Sequence, residues 1–273
     1  MPSFAAGVAY IGTQYSGWQA QVNGLGIANV LDAALSQIAN HPVSTVCAGR
    51  TDAGVHALQQ VVHFSIDTQR TSYQLLQGVN TYLPEDIAVL WVSEVDDSFS
   101  ARFSATARHY RYWFLRGEVA SPHYVHRALH VKQSLDIEAM QLAANGMYGE
   151  RDFSVFRSSD CQAAHANRCL LHCTFTEVGD VFYLDIIANA FLHHMVRFTV
   201  GGLLAVGVGK VSVPQFLEMV ASKVRPAWVT CVAPSGLYFV RPIYPESIDL
   251  PDFSLFDPLT QSPIVLKPAV VPD

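Results

Sequence analysis

The chain is 273 residues long, room for one large domain or two of ordinary size. At that size a fold buries roughly 70–75% of the surface its unfolded form exposes, so no disulfide or metal staple is required. Half of the residues are hydrophobic and 15% are charged, which excludes a disordered chain, and the net charge of −6, taken whole, argues against a polyanionic partner.

Phe4–Ile11 is a short apolar run that ends at Gly12, a strand candidate. Ile27–Ala39 carries apolar residues three and four apart, one face of a helix. Val43–Cys47 and His56–Ile66 read as strands, Tyr73–Leu83 as a helix stopped by Pro84, and Ile87–Val95 as a strand. The order β-α-β-β-α-β is that of a ferredoxin-like unit. The second half is expected to repeat it. Tyr110–Leu115 reads as a strand and Leu135–Tyr148 as a helix, and Cys169–Glu177 and Val181–Ala188 as a hairpin turning at Gly179-Asp180. The stripe from Leu192 to Leu204 and the run Pro214–Ser222 read as helices, and Leu237–Val240 as a closing strand.

The expectation is therefore an α+β protein. It has an N-terminal part, 1–100, a second part, 101–245, and an acidic, proline-rich tail, 246–273. The longest apolar charge-free run near a helical pattern, Phe198 to Gly209, is 12 residues, short of the roughly 20 that span a bilayer. Residues 1–31 carry no charge, hence no basic n-region of a signal peptide, and five cysteines are an odd count. A cytoplasmic protein with reduced thiols is expected.

Three segments carry candidate chemistry. Ala48-Gly49-Arg50-Thr51-Asp52-Ala53-Gly54-Val55-His56 joins two predicted strands. It reads either as a turn in which Asp52 caps amides, or as a rigid loop presenting an ionised carboxylate as nucleophile or base. Arg102–Trp113 interleaves basic and aromatic residues, as an ordinary amphipathic strand does and as a strand contacting phosphates and stacking on a base does. In the third, Asn189–Phe198, His193 and Arg197 are four apart and are expected to share a helix flank, and Arg197 is either a surface charge or the partner of a carboxylate. Cys161, His165, Cys169, His172 and Cys173 cluster, but in no usual zinc spacing, and adjacent His172 and Cys173 in a strand face opposite ways. No glycine-rich phosphate loop and no GxSxG elbow is present.

Arg50-Thr51-Asp52-Ala53-Gly54-Val55-His56-Ala57 resembles the active-site loop of the tRNA pseudouridine synthase A family. Tyr10–Gln21 looks like that family's opening motif, and Arg102–Tyr112, Phe191–Arg197 and Ala233–Tyr238 also match, in family order. The resemblance implies two α/β halves whose antiparallel sheets join into one platform with helices packed on it, in a homodimer around a basic cleft. It implies that Asp52 is the catalytic aspartate on a loop supported by Thr51, Gly54 and His56. Tyr110 would pack against the target base, Arg197 would pair with Asp52, and Arg50 would help turn the nucleotide out. The implied substrate is the anticodon arm of tRNA at uridines 38, 39 and 40, with no cofactor and no metal. A non-catalytic RNA-binding module and, on the Cys/His cluster, a zinc hydrolase are the competing readings.

The charge distribution fits an RNA partner better than its total. Residues 242–273 hold five acids against Lys267, a net −4, whereas 98–132 hold five arginines and Lys132 against Glu118, a net +5.

Overall fold

The computed structural model describes residues 1–19, 24–67, 69–251 and 257–264. In chain order the elements are β1 (Ser3–Tyr10), α1 (Ile27–Ala39), β2 (Val46–Cys47), β3 (His56–Ser65), α2 (Ser72–Tyr82), β4 (Ile87–Val95), β5 (Ala107–Arg116) and β6 (Leu129–Val131). They continue with α3 (Ile137–Asn145), β7 (Gly149–Asp152), β8 (Asn167–Val178), β9 (Val181–Ala188), α4 (Met195–Gly207), α5 (Val213–Ser222) and β10 (Leu237–Ile243). The chain divides into two compact units. The first is Met1–Ala107 with the described residues from Tyr238, and the second is Arg108–Leu237.

The first unit has the expected β-α-β-β-α-β order. β1 lies between β4 and β3, antiparallel to both. β2 pairs antiparallel with the far part of β3 (Val46 opposite His63), and β10 runs parallel to its beginning (Tyr238 opposite His56). On α1, Ile27, Leu31, Ala34, Leu35 and Ile38 are buried, the stripe that the spacing predicts. The predicted strand Val43–Cys47 shrinks to two residues because α1 captures its amides. Ser36 Oγ accepts from Val43 N at 2.9 Å and Asp32 Oδ1 from Thr45 N at 3.0 Å. α2 is N-capped by Thr71 and packs on α1 and β4.

The closing strand is present as expected, and its beginning pairs with β3 of the first half. The chain beyond it does not behave only as an extended tail. Tyr244, Ile248 and Leu250 pack on a buried cluster of Ala5, Ala48, Val61, Trp91, Phe99 and Ala101. Further on, Asp257 is 1% exposed and closes a turn by accepting from Leu259 N and Thr260 N. Residues 252–256 and 265–273 of the expected tail lie outside the described residues.

The second unit is built on the antiparallel order β5-β9-β8-β7, with β6 parallel to β5. One face is aromatic: Phe114 stacks on Phe182 with centroids 4.5 Å apart, beside Phe175. α3 packs on β8 and against α4 and α5. α3 is shorter than the predicted 135–148 because Asp136 caps it, accepting from Ala139 N at 2.8 Å, and it ends at Gly146. The unit departs from a plain repeat by two short strands, β6 and β7, that the apolar pattern does not reveal, and by α5 following directly on α4. On the opposite sheet face His109, Arg111 and Trp113 are buried, with Asp185 and Tyr183 across from the last two.

Candidate active site

The loop from Ala48 to Val55 leaves β2 and enters β3 under restraint at almost every residue. Ala48 N donates to Val61 O at 2.8 Å. Gln60, fully buried on β3, accepts from Gly49 N and donates back to Gly49 O, at 3.3 and 2.5 Å. Val55 N closes the turn onto the backbone carbonyl of Asp52 at 3.2 Å, and Gly54 takes φ +78, the left-handed region that suits glycine. Thr51 and Val55 are buried, Asp52 is half-buried, and Arg50 is exposed. The backbone is tied down on both sides of Asp52 while part of that residue remains open to solvent.

The segment Tyr10–Trp18 clamps this loop. The Tyr10 hydroxyl lies 2.7 Å from Thr51 Oγ1, and burial drives the Tyr10 phenol well above its ordinary range, so it stays protonated. Trp18 N donates to Thr51 O at 3.0 Å and Gly54 N to Tyr15 O at 3.3 Å. Gly12 N donates to His56 Nδ1 at 3.1 Å, which places the neutral ring's proton on Nε2. His56 is 1% exposed, with its ring 4.6 Å from that of Tyr238. Tyr15 donates to Asp86 at 2.7 Å and so secures the clamp to the start of β4. Two glycines let the backbones approach. A Cβ at Gly12 would run into the Val55 carbonyl, and one at Gly17 would sit 2.6 Å from Thr51 O. None of Tyr10, Gly12, Tyr15, Gly17 and Trp18 was expected to have a role from its chemistry. The available signal was the alternation of glycine and aromatic residues across residues 10–18. Ala20 and Gln21, at the end of that motif, lie outside the described residues.

The second unit carries Tyr110 and Arg197. Tyr110, on β5, is 8% exposed, and its ring meets Phe191 edge-on at 4.9 Å. Arg197 stands in the first turn of α4, half-buried, and its Nε donates to Val232 O at 2.8 Å. Nearby the Tyr112 hydroxyl donates to Ala233 O at 2.7 Å, so β5 and α4 both grip the segment before Leu237. His193 does not share a helix flank with Arg197: α4 begins only at Met195, and His194 before it takes φ +61. Arg50, Thr51, Asp52, Gly54 and His56 thus lie in the first unit, and Tyr110 and Arg197 in the second.

Among the described residues no group of three metal-ligating side chains forms from Cys161, His165, Cys169, His172 and Cys173. Cys173 is fully buried, and burial pushes its thiol up to about 12. No helix among the described residues is long and apolar enough to cross a membrane.

A family model described as tRNA pseudouridine synthase matches residues 6–104 and 143–245. The first stretch holds the Asp52 loop and its clamp and the second holds Arg197, while Tyr110 falls between them. Curated relatives bearing the name tRNA pseudouridine synthase A are similar over nearly the whole chain. One from Colwellia psychrerythraea is 44% identical over 248 residues, 91% of this chain and 96% of the relative. One from Hydrogenovibrio crunogenus is 43% identical over 262 residues, 96% and 100%. One from Pseudoalteromonas atlantica is 43% identical over 251 residues, 92% and 95%.

Proposed function

Since the chain belongs to the tRNA pseudouridine synthase family and is an isomerase, we propose that Asp52 is the carboxylate that carries the reaction, on uridines of the tRNA anticodon arm. In this reaction the bond from C1′ to N1 of uracil breaks, the base turns, and a bond from C1′ to C5 forms. The C5 proton is lost and N1 gains one. A carboxylate serves as the nucleophile that holds the base or sugar between the two bonds, or as the base that removes a proton. Neither role consumes an oxidant or a cofactor.

The observation that carries the reading is the Asp52 loop itself. Thr51 and Val55 are buried and the loop is bonded to β3 and to residues 10–18, while Asp52 is half-exposed. Holding a reacting group in one geometry lowers the entropic part of a barrier, and that is what such a clamp supplies. Thr51, Gly54 and His56 support the loop. Arg50 helps turn the target nucleotide out of its stack, which costs a few kcal/mol. Tyr110 packs on the extruded base, and stacking returns about 1–3 kcal/mol. Arg197 pairs with Asp52 and keeps it aimed. The targets are positions 38, 39 and 40, and the working form is a cytoplasmic homodimer.

Incubating an unmodified tRNA transcript with wild-type protein and with Asp52→Asn, then mapping pseudouridine, tests the assignment. Wild type modifies the anticodon arm and the variant yields no detectable product. Undiminished product from Asp52→Asn removes Asp52 from the chemistry.

A further inference from the structure

Phe103 is 80% exposed, on a loop that is otherwise anchored. Phe103 N donates to Ser100 Oγ at 3.3 Å, Ser104 N to Ser100 O at 2.9 Å and Ser100 N to Ser104 Oγ at 3.0 Å. Ala101 N donates to His63 Nδ1 at 3.1 Å, and the Ala101 carbonyl accepts from the Tyr244 hydroxyl at 2.8 Å. Phe99 and Ala101 are both buried in the cluster with Ala48 and Trp91. A loop fixed in this way holds a whole benzyl ring out in water.

The surroundings of that ring are cationic. The Arg102 guanidinium stands over it, 5.2 Å from the centroid. The fields of Arg102 and Arg50 both favour the thiolate of buried Cys47, at the end of β2 from which the Asp52 loop departs. Ala101 packs with Ala48, two residues before Arg50. An exposed aromatic ring beside a guanidinium group matches an unpaired nucleotide, whose base stacks on the open face of the ring while its phosphate meets the arginine. Tyr110, the aromatic residue already given a role, lies in the other unit with its ring edge-on to Phe191.

We propose that Phe103, with Arg102 beside it, is a second stacking platform, which holds an unpaired base of the tRNA other than the one being isomerised. The proposal rests on the tRNA reading above and deepens it.

The test uses the full chain and an unmodified tRNA transcript, with binding measured by filter retention and turnover measured separately. Phe103→Ala raises Kd and KM about tenfold with kcat little changed, the size expected for one lost base–aromatic stack. Phe103→Trp restores binding, and Phe103→Leu, apolar but without a π face, stays weak. Arg102→Gln flattens the slope of log K against log salt by about 1. Wild-type affinity in Phe103→Ala overturns the proposal. So does Phe103→Leu binding as well as wild type, since the ring would then serve apolar packing, for example on a second copy of the chain. Binding is read without turnover, so an active Asp52→Asn protein removes the catalytic assignment and leaves this one standing, and a failure at Phe103 leaves Asp52 untouched.

Discussion

The Tyr10 hydroxyl lies 2.7 Å from Thr51 Oγ1, and both residues are buried, so the strand that opens the fold is bonded to the residue immediately before Asp52. This contact ties the position of the proposed catalytic carboxylate to a strand flanked on both sides in the sheet of the first unit, as well as to its own loop.

Tyr10→Phe removes this bond and leaves the Thr51 hydroxyl buried without it. The expected loss is about 1–3 kcal/mol in urea unfolding. If the bond positions Asp52, kcat falls several-fold while KM for tRNA holds. A double-mutant cycle with Thr51→Val then shows coupling, because either change alone already breaks the contact. Additive losses would mean that the two side chains act separately.

Gly12 and Gly17 test the close approach directly. Gly12→Ala forces a methyl into the Val55 carbonyl, and Gly17→Ala meets Thr51 O at 2.6 Å while holding φ at +96. Each is expected to cost about 1–3 kcal/mol from crowding, with strain added at Gly17, and to depress kcat. Gly149→Ala is the control: its φ is +86, but nothing lies within 4 Å of the added methyl. It should cost about 1 kcal/mol from backbone strain alone and leave turnover intact. Equal losses at all three positions would show that φ, not contact with the loop, sets the effect.

The thiols give a chemical check on the same region. Burial pushes Cys47 up to about 12 despite the favourable field of Arg50 and Arg102, and burial alone does the same for Cys173. Native protein treated with iodoacetamide at pH 8 should leave both unlabelled by mass spectrometry, and both should label after unfolding in urea. Rapid native labelling of Cys47 would mean that the end of β2 opens readily.

What the sequence made legible follows from how locally each signal is written. Ile27–Ala39 and Ile87–Val95 appear with the predicted bounds because their apolar periods are decided by their own residues. The shortened β2 was hidden because it depends on Asp32 and Ser36 of α1 reaching across to bind its amides. The pairing of β10 with β3 was hidden for a related reason: a strand pattern shows which residues alternate, not which edge receives them. At the candidate site, the loop chemistry of Asp52 was readable as either a turn or a reactive carboxylate. The segment from Tyr10 to Trp18 stood out by its glycines and aromatic residues, but its grip on the Asp52 loop was not readable, since a contact across some forty residues leaves no periodic trace.

A last prediction concerns the strand that carries Tyr110. On the opposite face of β5, Arg111 grips Asp185 of β9 through two bonds, Nε to Oδ1 at 2.8 Å and a terminal nitrogen to Oδ2 at 2.7 Å, and His109 Nε2 meets Oδ1 at 2.9 Å. Arg111 also lies 3.7 Å from the centroid of the Tyr183 ring. Burial works against the Asp185 carboxylate, but the bonds from His109 and Arg111 prevail and hold its pKa down to about 2. The folded value lies below the unfolded one, near 3.9, so the unfolded chain binds the proton more readily. The stability from this group is therefore fully present above about pH 5 and is lost as pH falls toward 2, an amount on the order of 2–3 kcal/mol. Asp185→Asn leaves the Arg111 charge buried without its carboxylate and should cost about 3–5 kcal/mol at pH 7. The variant should also lack the part of the acid loss that Asp185 causes, so its deficit relative to wild type narrows between pH 5 and pH 3. Urea midpoints at these three pH values decide the matter. A deficit that stays constant with pH would show that the pair holds β5 on β9 by packing alone, with no part played by the carboxylate's charge.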